Sequence, residues 1–218
     1  MTERPGPLPG PLPGPLPGQR PAARRLHSLC VFCGSSTGND PAFCQAARAL
    51  GDALVHQQIT LVYGGGNIGL MGVIADRVMQ GGGRAIGVIP RQLQEKELAH
   101  HGITDLHVVG SMHQRKARMA ELAEAFVAMP GGYGTIEEFA EVLTWSQLGL
   151  HTKPMGLLNV SGYFDHFLRF LDHAVDVRLL QPEHRRLVLQ SDQADQLLEQ
   201  MHAWQAPSLP KWIESEAT

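Results

Sequence analysis

From residue 26 onward, the chain alternates short apolar runs with longer stretches of helical pattern. The apolar runs cover 29–32, 60–63, 85–89, 106–109, 125–129, 155–160 and 186–190. The helical stretches cover 41–57, 69–80, 112–124, 135–149, 163–177 and 192–204. Because the short runs are continuously apolar rather than alternating, we expect strands that are covered on both faces. The pattern therefore predicts an α/β fold: a Rossmann-like, doubly wound, mostly parallel sheet of about seven strands with helices on both faces.

The beginning of the chain differs in composition from the rest. Residues 1–21 contain eight of the 15 prolines and four of the 24 glycines, mostly as a repeated Pro-Leu-Pro-Gly. A segment of this kind cannot bury enough apolar surface to fold, so we expect it to be disordered. We predict a disordered tail over 1–25, a single Rossmann-like domain over 26–205 and a C-terminal tail over 206–218.

The charge balance and the apolar runs exclude two kinds of partner. Residues 26–218 carry 14 basic and 20 acidic side chains, which does not suit a nucleic-acid-binding surface. No run reaches the roughly 20 apolar residues of a membrane span. The N-terminus also lacks the apolar core of a secretory signal. We therefore predict a cytoplasmic protein with neither a nucleic-acid nor a membrane partner.

The spacing of cysteine and histidine predicts no metal site. Cys30 and Cys33 form a CxxC, but they lie in a predicted strand, where a spacing of three sends the two side chains to opposite faces. The 11 histidines show no spacing typical of zinc ligands. We expect both cysteines to be buried as small apolar residues.

Three loops rich in glycine follow predicted strands and therefore meet at one edge of the sheet. They cover 33–38, 64–72 and 130–135. Glycine lets the backbone approach a ligand closely, and a following helix offers unpaired N–H groups, so an anionic phosphate is the expected ligand. Residues 64–69 also match GxGxxG, but the third strand does not end in the carboxylate typical of dinucleotide sites, which favours a mononucleotide over NAD. Possible loop contacts are Gly34, Ser35, Gly65 and Gly66.

Two charged residues in the second half of the pattern allow more than one interpretation. Thr135 and Glu138 fit a Thr-x-x-Glu capping box, which would explain both residues structurally. Arg115 lies on the same helical stripe as Met112 and Met119, so it either extends to the edge of the core or meets an anion. A carboxylate beside a phosphate loop favours a role in chemistry, because it is costly there otherwise.

Four segments resemble the LOG-type cytokinin-activating phosphoribohydrolases. They are CGSSTG (33–38), LVYGGGNIGLMG (61–72), SMHQRKA (111–117) and PGGYGTIEE (130–138), the last of which matches the PGGxGTxxE signature of that family. The resemblance implies hydrolysis of the N-glycosidic bond of an adenine-type nucleoside 5′-monophosphate, in a homodimer that needs no cofactor. It places the catalytic pair at Arg115 and Glu138. It implies that the substrate contacts are Glu97, Arg115, Lys116, Gly131, Gly132, Tyr133, Gly134, Thr135, Ile136, Glu137, Glu138 and Thr144.

A non-catalytic carrier of a nucleotide or cofactor is the alternative, because the same sheet and glycine loops would serve it. Mere binding does not require a paired arginine and glutamate, so Arg115 and Glu138 distinguish the two hypotheses. Proteins of this family are often labelled lysine decarboxylases. That chemistry is not favoured, since Lys116 is the only lysine beside the predicted site and no partner for the pyridinium of pyridoxal phosphate can be recognised.

Overall fold

The computed structural model describes residues 25–94 and 98–207. Its strands are β1 (Ser28–Phe32), β2 (Thr60–Tyr63), β3 (Ala85–Pro90), β4 (Asp105–Val109), β5 (Ala125–Ala128), β6 (Met155–Leu158) and β7 (Val188–Ser191). Its helices are α1 (Pro41–His56), α2 (Gly69–Gln80), α3 (Arg91–Gln94), α4 (Met112–Leu122), α5 (Tyr133–Gln147), α6 (Asp165–Asp176), α7 (Pro182–Arg185) and α8 (Ala194–His202), with a 3₁₀ turn at Val160–Gly162. The predicted tails, 1–25 and 206–218, lie almost wholly outside the described residues.

The strands form one parallel sheet in the order β4-β3-β2-β1-β5-β6-β7. The predicted fold class is confirmed. The chain runs outward from β1 to β4, returns along α4, and resumes at β5 on the other side of β1. Because the direction of winding reverses between β1 and β5, the crevice beyond their carboxyl ends is where such sheets bind ligands. The return path also brings α4 beneath the ends of β2 and β3.

The sheet separates two hydrophobic cores. On one face, the strands pack against α1, α2 and α8; on the other, they pack against α4, α5 and α6. Cys33 belongs to the first core and Cys30 to the second, and both are buried. The prediction that these cysteines point to opposite faces as buried apolar residues is therefore confirmed.

Two local predictions are wrong. The capping box of Thr135 and Glu138 does not form, because α5 begins at Tyr133 and its N-cap is Gly132, which has no side chain to accept a bond. Thr135 is instead inside the first turn of the helix. The helical stripe predicted through Met112, Arg115 and Met119 is not buried along its length: Met112 is the first residue of α4 and 44% exposed, whereas Met119 is fully buried.

No helix among the described residues combines the length and apolar character that crossing a bilayer requires.

Candidate functional site

A cavity of about 420 Å³ opens at the carboxyl ends of β1, β2 and β3, beside the N-terminus of α5. Its wall includes Gly34 and Ser35 after β1, Gly64 and Gly66 after β2, and the first residues of α5. All three predicted glycine loops thus meet around one space, because residues 132–135 of the third loop form the N-cap and first turn of α5. This is the convergence that the sequence predicts for a phosphate ligand.

Arg115 extends from α4 into this cavity and is held by backbone carbonyl groups. Its Nε donates to the carbonyl of Val88 at 3.1 Å and its Nη2 to the carbonyl of Gly64 at 3.4 Å. The side chain is 11% exposed. A Cβ added to Gly64 would lie 2.0 Å from Nη2, so the guanidinium occupies space that only glycine leaves open. These two backbone bonds therefore hold the guanidinium at the carboxyl ends of β2 and β3.

Glu138 faces Arg115 across the cavity. Glu138 Oε1 lies 3.4 Å from Arg115 Nη1, and the glutamate side chain is 10% exposed. Burial raises the pKa of Glu138, and the positive charge of Arg115 only partly offsets that effect. The result is a buried carboxylate whose affinity for a proton is increased, in contact with a fixed cation.

The N-terminus of α5 supplies unpaired backbone donors. The first helical bond runs from Ile136 N–H to the carbonyl of Gly132, so the N–H groups of Tyr133, Gly134 and Thr135 precede the helical ladder. A Cβ at Gly132 or Gly134 would meet no atom within 4 Å, so this end of the helix faces open space. The helix dipole adds a partial positive charge there, which favours an anion.

Lys116 does not line the cavity. Its Nζ lies 2.5 Å from Glu137 Oε1 and 3.1 Å from Glu141 Oε1, and its side chain is 11% exposed. Hydrogen bonds to the two carboxylates raise the pKa of Lys116, although burial opposes them with the largest single effect. Lys116 thus joins α4 to α5 through two ion pairs instead of pointing at the predicted phosphate site.

The other predicted contacts are dispersed. Gly131 lines a neighbouring cavity of about 310 Å³, which shares Gly34, Ser35 and Gly132 with the first. Gly65 lies against Ile89 and Leu106. Ile136 packs into the core. Thr144 donates to the carbonyl of Ala140 and lines a separate groove between α5, α6 and α7. Glu97 lies outside the described residues.

One feature of the cavity was missed by the sequence analysis, namely an apolar wall. It is formed by Ile68, Met71, Ile89, Leu93 and Leu98. Ile68 and Met71 are apolar residues inside the glycine loop after β2, and Ile89 ends the third apolar run. Their positions beside the predicted site could have indicated an apolar wall. The cavity therefore has a polar end at α5, a charged middle and an apolar side.

The cavity offers groups for acid–base chemistry on an anionic substrate. Among residues 25–94 and 98–207, no group of three or more His, Cys, Asp or Glu side chains is placed to hold a metal ion.

Comparisons with known proteins show the family to which the chain is similar. A family model described as "Possible lysine decarboxylase" matches residues 71–201. The cytokinin riboside 5′-monophosphate phosphoribohydrolase LOG7 of Arabidopsis thaliana is 48% identical over 83% of this chain and 83% of its own. A second cytokinin riboside 5′-monophosphate phosphoribohydrolase of Arabidopsis thaliana, LOG2, is 50% identical over 80% of this chain and 82% of its own.

Solved structures with the same fold are more distant in sequence. A molybdenum cofactor binding protein from the phototrophic bacterium Rippkaea orientalis superposes with a TM-score of 0.60 and 20% identity, over 79% of this chain and 93% of its own. The Moco carrier protein of Chlamydomonas reinhardtii gives a TM-score of 0.58 and 22% identity, over 78% and 96%. At this level of identity, the likeness shows the fold alone.

Proposed function

This chain belongs to the family of cytokinin riboside 5′-monophosphate phosphoribohydrolases, and we propose that it hydrolyses the N-glycosidic bond of an adenine-type nucleoside 5′-monophosphate. The products are the free base and ribose 5-phosphate. One observation carries the proposal: the buried pair of Arg115 and Glu138 shares a cavity with the unpaired N–H groups at the start of α5. The first group suits the reacting bond, and the second suits the phosphate.

The phosphate binds at the N-terminus of α5 in this proposal. The N–H groups of Tyr133, Gly134 and Thr135 donate to its oxygens, and the absence of side chains at Gly132 and Gly134 leaves room for it. Glu138 lies one helical turn after Thr135 on the same helix, so a ribose attached to that phosphate extends toward the carboxylate. The helix thus sets the distance between the anchor and the reacting carbon.

Glu138 acts as the general base, and its negative charge stabilises the positive charge that develops on the ribose. As the C1′–N9 bond breaks, its electron pair leaves with the base and positive charge develops on the ribose ring. The carboxylate stabilises that charge and takes a proton from the water that attacks C1′. The departing nucleobase takes a proton from solvent, and Glu138 then returns its proton to solvent, so the step balances. Burial raises the pKa of Glu138, which makes it a stronger base than an exposed glutamate. Arg115 keeps it ionised and can bind substrate oxygens.

The apolar wall favours a base that carries an apolar substituent. If the phosphate lies at α5 and the ribose at Glu138, the base extends toward Ile68, Met71 and Leu98. A polar amino group would leave that surface wet, whereas an isoprenoid chain on N6 would cover it. Each buried CH₂ contributes about 0.8 kcal/mol. We therefore propose cytokinin riboside monophosphates as better substrates than AMP.

A second copy of this chain is the proposed partner. Phe170 on α6 is 63% exposed, and Val177 and Leu179 just beyond it are 47% and 86% exposed. This surface adjoins the groove that contains Thr144, a predicted substrate contact far from the cavity of its own chain. Sedimentation velocity should give a dimer at micromolar concentration, and the double variant Phe170→Glu and Leu179→Glu should sediment as a monomer. A monomeric wild type would refute the proposed partner.

Product analysis tests the proposed reaction. The protein is incubated with N6-isopentenyl-AMP and with AMP, and the free base and ribose 5-phosphate are quantified by chromatography. Equal amounts of the two products are expected, with Glu138→Gln strongly impaired and the surface variant Glu121→Gln unaffected. Binding of both nucleotides without any product would instead support the alternative, a non-catalytic carrier.

A further inference from the structure

A second set of charges lies beside the proposed catalytic pair. Lys116 follows Arg115 on α4, and Glu137 precedes Glu138 on α5. Lys116 reaches both Glu137 and Glu141, at 2.5 and 3.1 Å. The side chain of Glu137 is 56% exposed, whereas that of Glu141 is 26% exposed. Glu141 is thus the better-shielded partner of an almost buried ammonium group.

We propose that Glu141 is a positioning residue, which holds Lys116 so that α4 and α5 keep Arg115 opposite Glu138. Lys116 is then a link between two helices and not a ligand of the phosphate. This inference rests on the proposed function, since the position of Arg115 opposite Glu138 affects the rate only if the two residues are the catalytic pair.

The geometry of the two helices supports this role. Consecutive helical residues point about 100° apart. The pair of Arg115 with Glu138 and the pairs of Lys116 with Glu137 and Glu141 therefore cross the gap between α4 and α5 in different directions. Core packing of Met119 and Phe139 already restrains each helix, and a single ion pair adds a restraint on only one distance between them. Two pairs in different directions fix the rotation as well.

The charges explain why Lys116 is not available to a phosphate. Glu137 and Glu141 are four residues apart on one face of α5, where like charges repel unless a cation lies between them. Moving Lys116 to a phosphate would break both of its ion pairs. The carboxylate of Glu141, which is 26% exposed, would then lose this cation. The backbone N–H groups at the start of α5 are already free for the phosphate, so no such rearrangement is required.

The link also acts on Glu138 through its charge. Several titratable groups influence Glu138 or are influenced by it. They are Arg115 and Lys116 from α4, Glu137 and Glu141 from α5, the thiol of Cys30 in β1 and the thiol of Cys33 directly after β1. The negative charge of Glu141 raises the pKa of Glu138, and the positive charge of Lys116 lowers it. The two members of one ion pair therefore have opposite effects on the proposed base.

The test compares Glu141→Gln and Lys116→Met with the wild-type protein. kcat and KM for AMP are measured from pH 4 to pH 9, together with the melting temperature of each variant. Glu121→Gln is the matched control, because Glu121 forms an exposed ion pair with Arg118 on the outer face of α4. Lys116→Arg is the conservative variant, since it keeps the charge and can donate to both carboxylates.

We expect kcat to fall about tenfold in Glu141→Gln and Lys116→Met, with KM within twofold of the wild type and partial recovery in Lys116→Arg. The acidic limb of the kcat profile should move to lower pH in Glu141→Gln and to higher pH in Lys116→Met. A loss of folding alone would not move the acidic limb to lower pH in one variant and to higher pH in the other.

Two results would overturn the inference. A large rise in KM for AMP at unchanged kcat in Lys116→Met would make Lys116 a phosphate ligand. A Glu141→Gln variant that behaves like Glu121→Gln would leave Glu141 without a positioning role. A wild-type protein that releases no base would instead refute the proposed function, so the two failures are distinguishable.

Discussion

Replacing Gly64 with alanine should displace Arg115 without touching the charged residues themselves. The added Cβ would lie 2.0 Å from Arg115 Nη2, whereas ordinary contacts begin near 3.4 Å, so the guanidinium must move by about 1.4 Å. The movement also breaks the bond from Nη2 to the carbonyl of Gly64 and disturbs the bond from Nε to that of Val88. A shift of about 1 Å in a positioned group can lower a rate about 10²-fold.

We therefore expect kcat for AMP to fall about 10²-fold in Gly64→Ala. Loss of one hydrogen bond to the charged guanidinium should lower the free energy of unfolding by about 1.5–3 kcal/mol. Steady-state kinetics and urea unfolding measure the two effects. Gly110→Ala, just before α4, is the control, since its Cβ would meet only the flexible end of Gln114 at 3.1 Å. A kcat within threefold of the wild type would show that the observed position of Arg115 is not needed for turnover.

Three further predictions concern the base, the pH dependence of stability and the thiols. Glu138→Gln should lower kcat at least ~10²-fold while AMP still binds, as kinetics and calorimetry would show; near-normal turnover would leave Glu138 a structural role only. Burial lowers the pKa of His151 from 6.5 to about 4, so between these pH values the unfolded chain binds a proton that the folded chain does not. The free energy of unfolding therefore falls as the pH is lowered through this range, by up to about 3 kcal/mol. Unfolding in urea at pH 7 and pH 4.5 measures this loss, and His151→Gln should reduce it; an equal loss in the variant would assign it to other groups. Burial raises the pKa values of Cys30 and Cys33, so mass spectrometry after alkylation should show a single adduct, on Cys44, in the folded protein and three in urea; rapid labelling of Cys33 would contradict the observed burial.

The regular elements of this fold were predictable because strands buried on both faces give uninterrupted apolar runs. The predicted run at 60–63 coincides with β2, and the predicted helix at 69–80 coincides with α2. The short helices α3 and α7 were not predicted, since four residues are too few to show a helical period. The start of α5 was placed two residues late because the Thr-x-x-Glu pattern imitates a capping box. The actual N-cap, Gly132, has no side chain that could have indicated it.

The site was only partly predictable, because its parts are brought together by the strand order. Arg115 and Glu138 are 23 residues apart, and they meet because α4 returns from the sheet edge at β4 to the centre at β5. A local pattern could mark each residue but not their separation. The partners of Lys116 could not be predicted from the sequence either. The motif shows only that a cation follows Arg115, whereas the structure shows that Lys116 forms ion pairs with Glu137 and Glu141 of α5.

The central claim is that one cavity binds a phosphate at the start of α5 and breaks the glycosidic bond at Glu138. The most direct test is the ratio of kcat/KM for AMP to that for adenosine, measured as adenine release by the same protein. Two or three hydrogen bonds from backbone N–H groups to a charged phosphate, at about 1.5–3 kcal/mol each, correspond to roughly 3–6 kcal/mol. At about 1.4 kcal/mol per factor of ten, AMP should be the better substrate by ~10²–10⁴. Specificity constants within threefold of each other would contradict the claim, because the phosphate would then have no site at the start of α5.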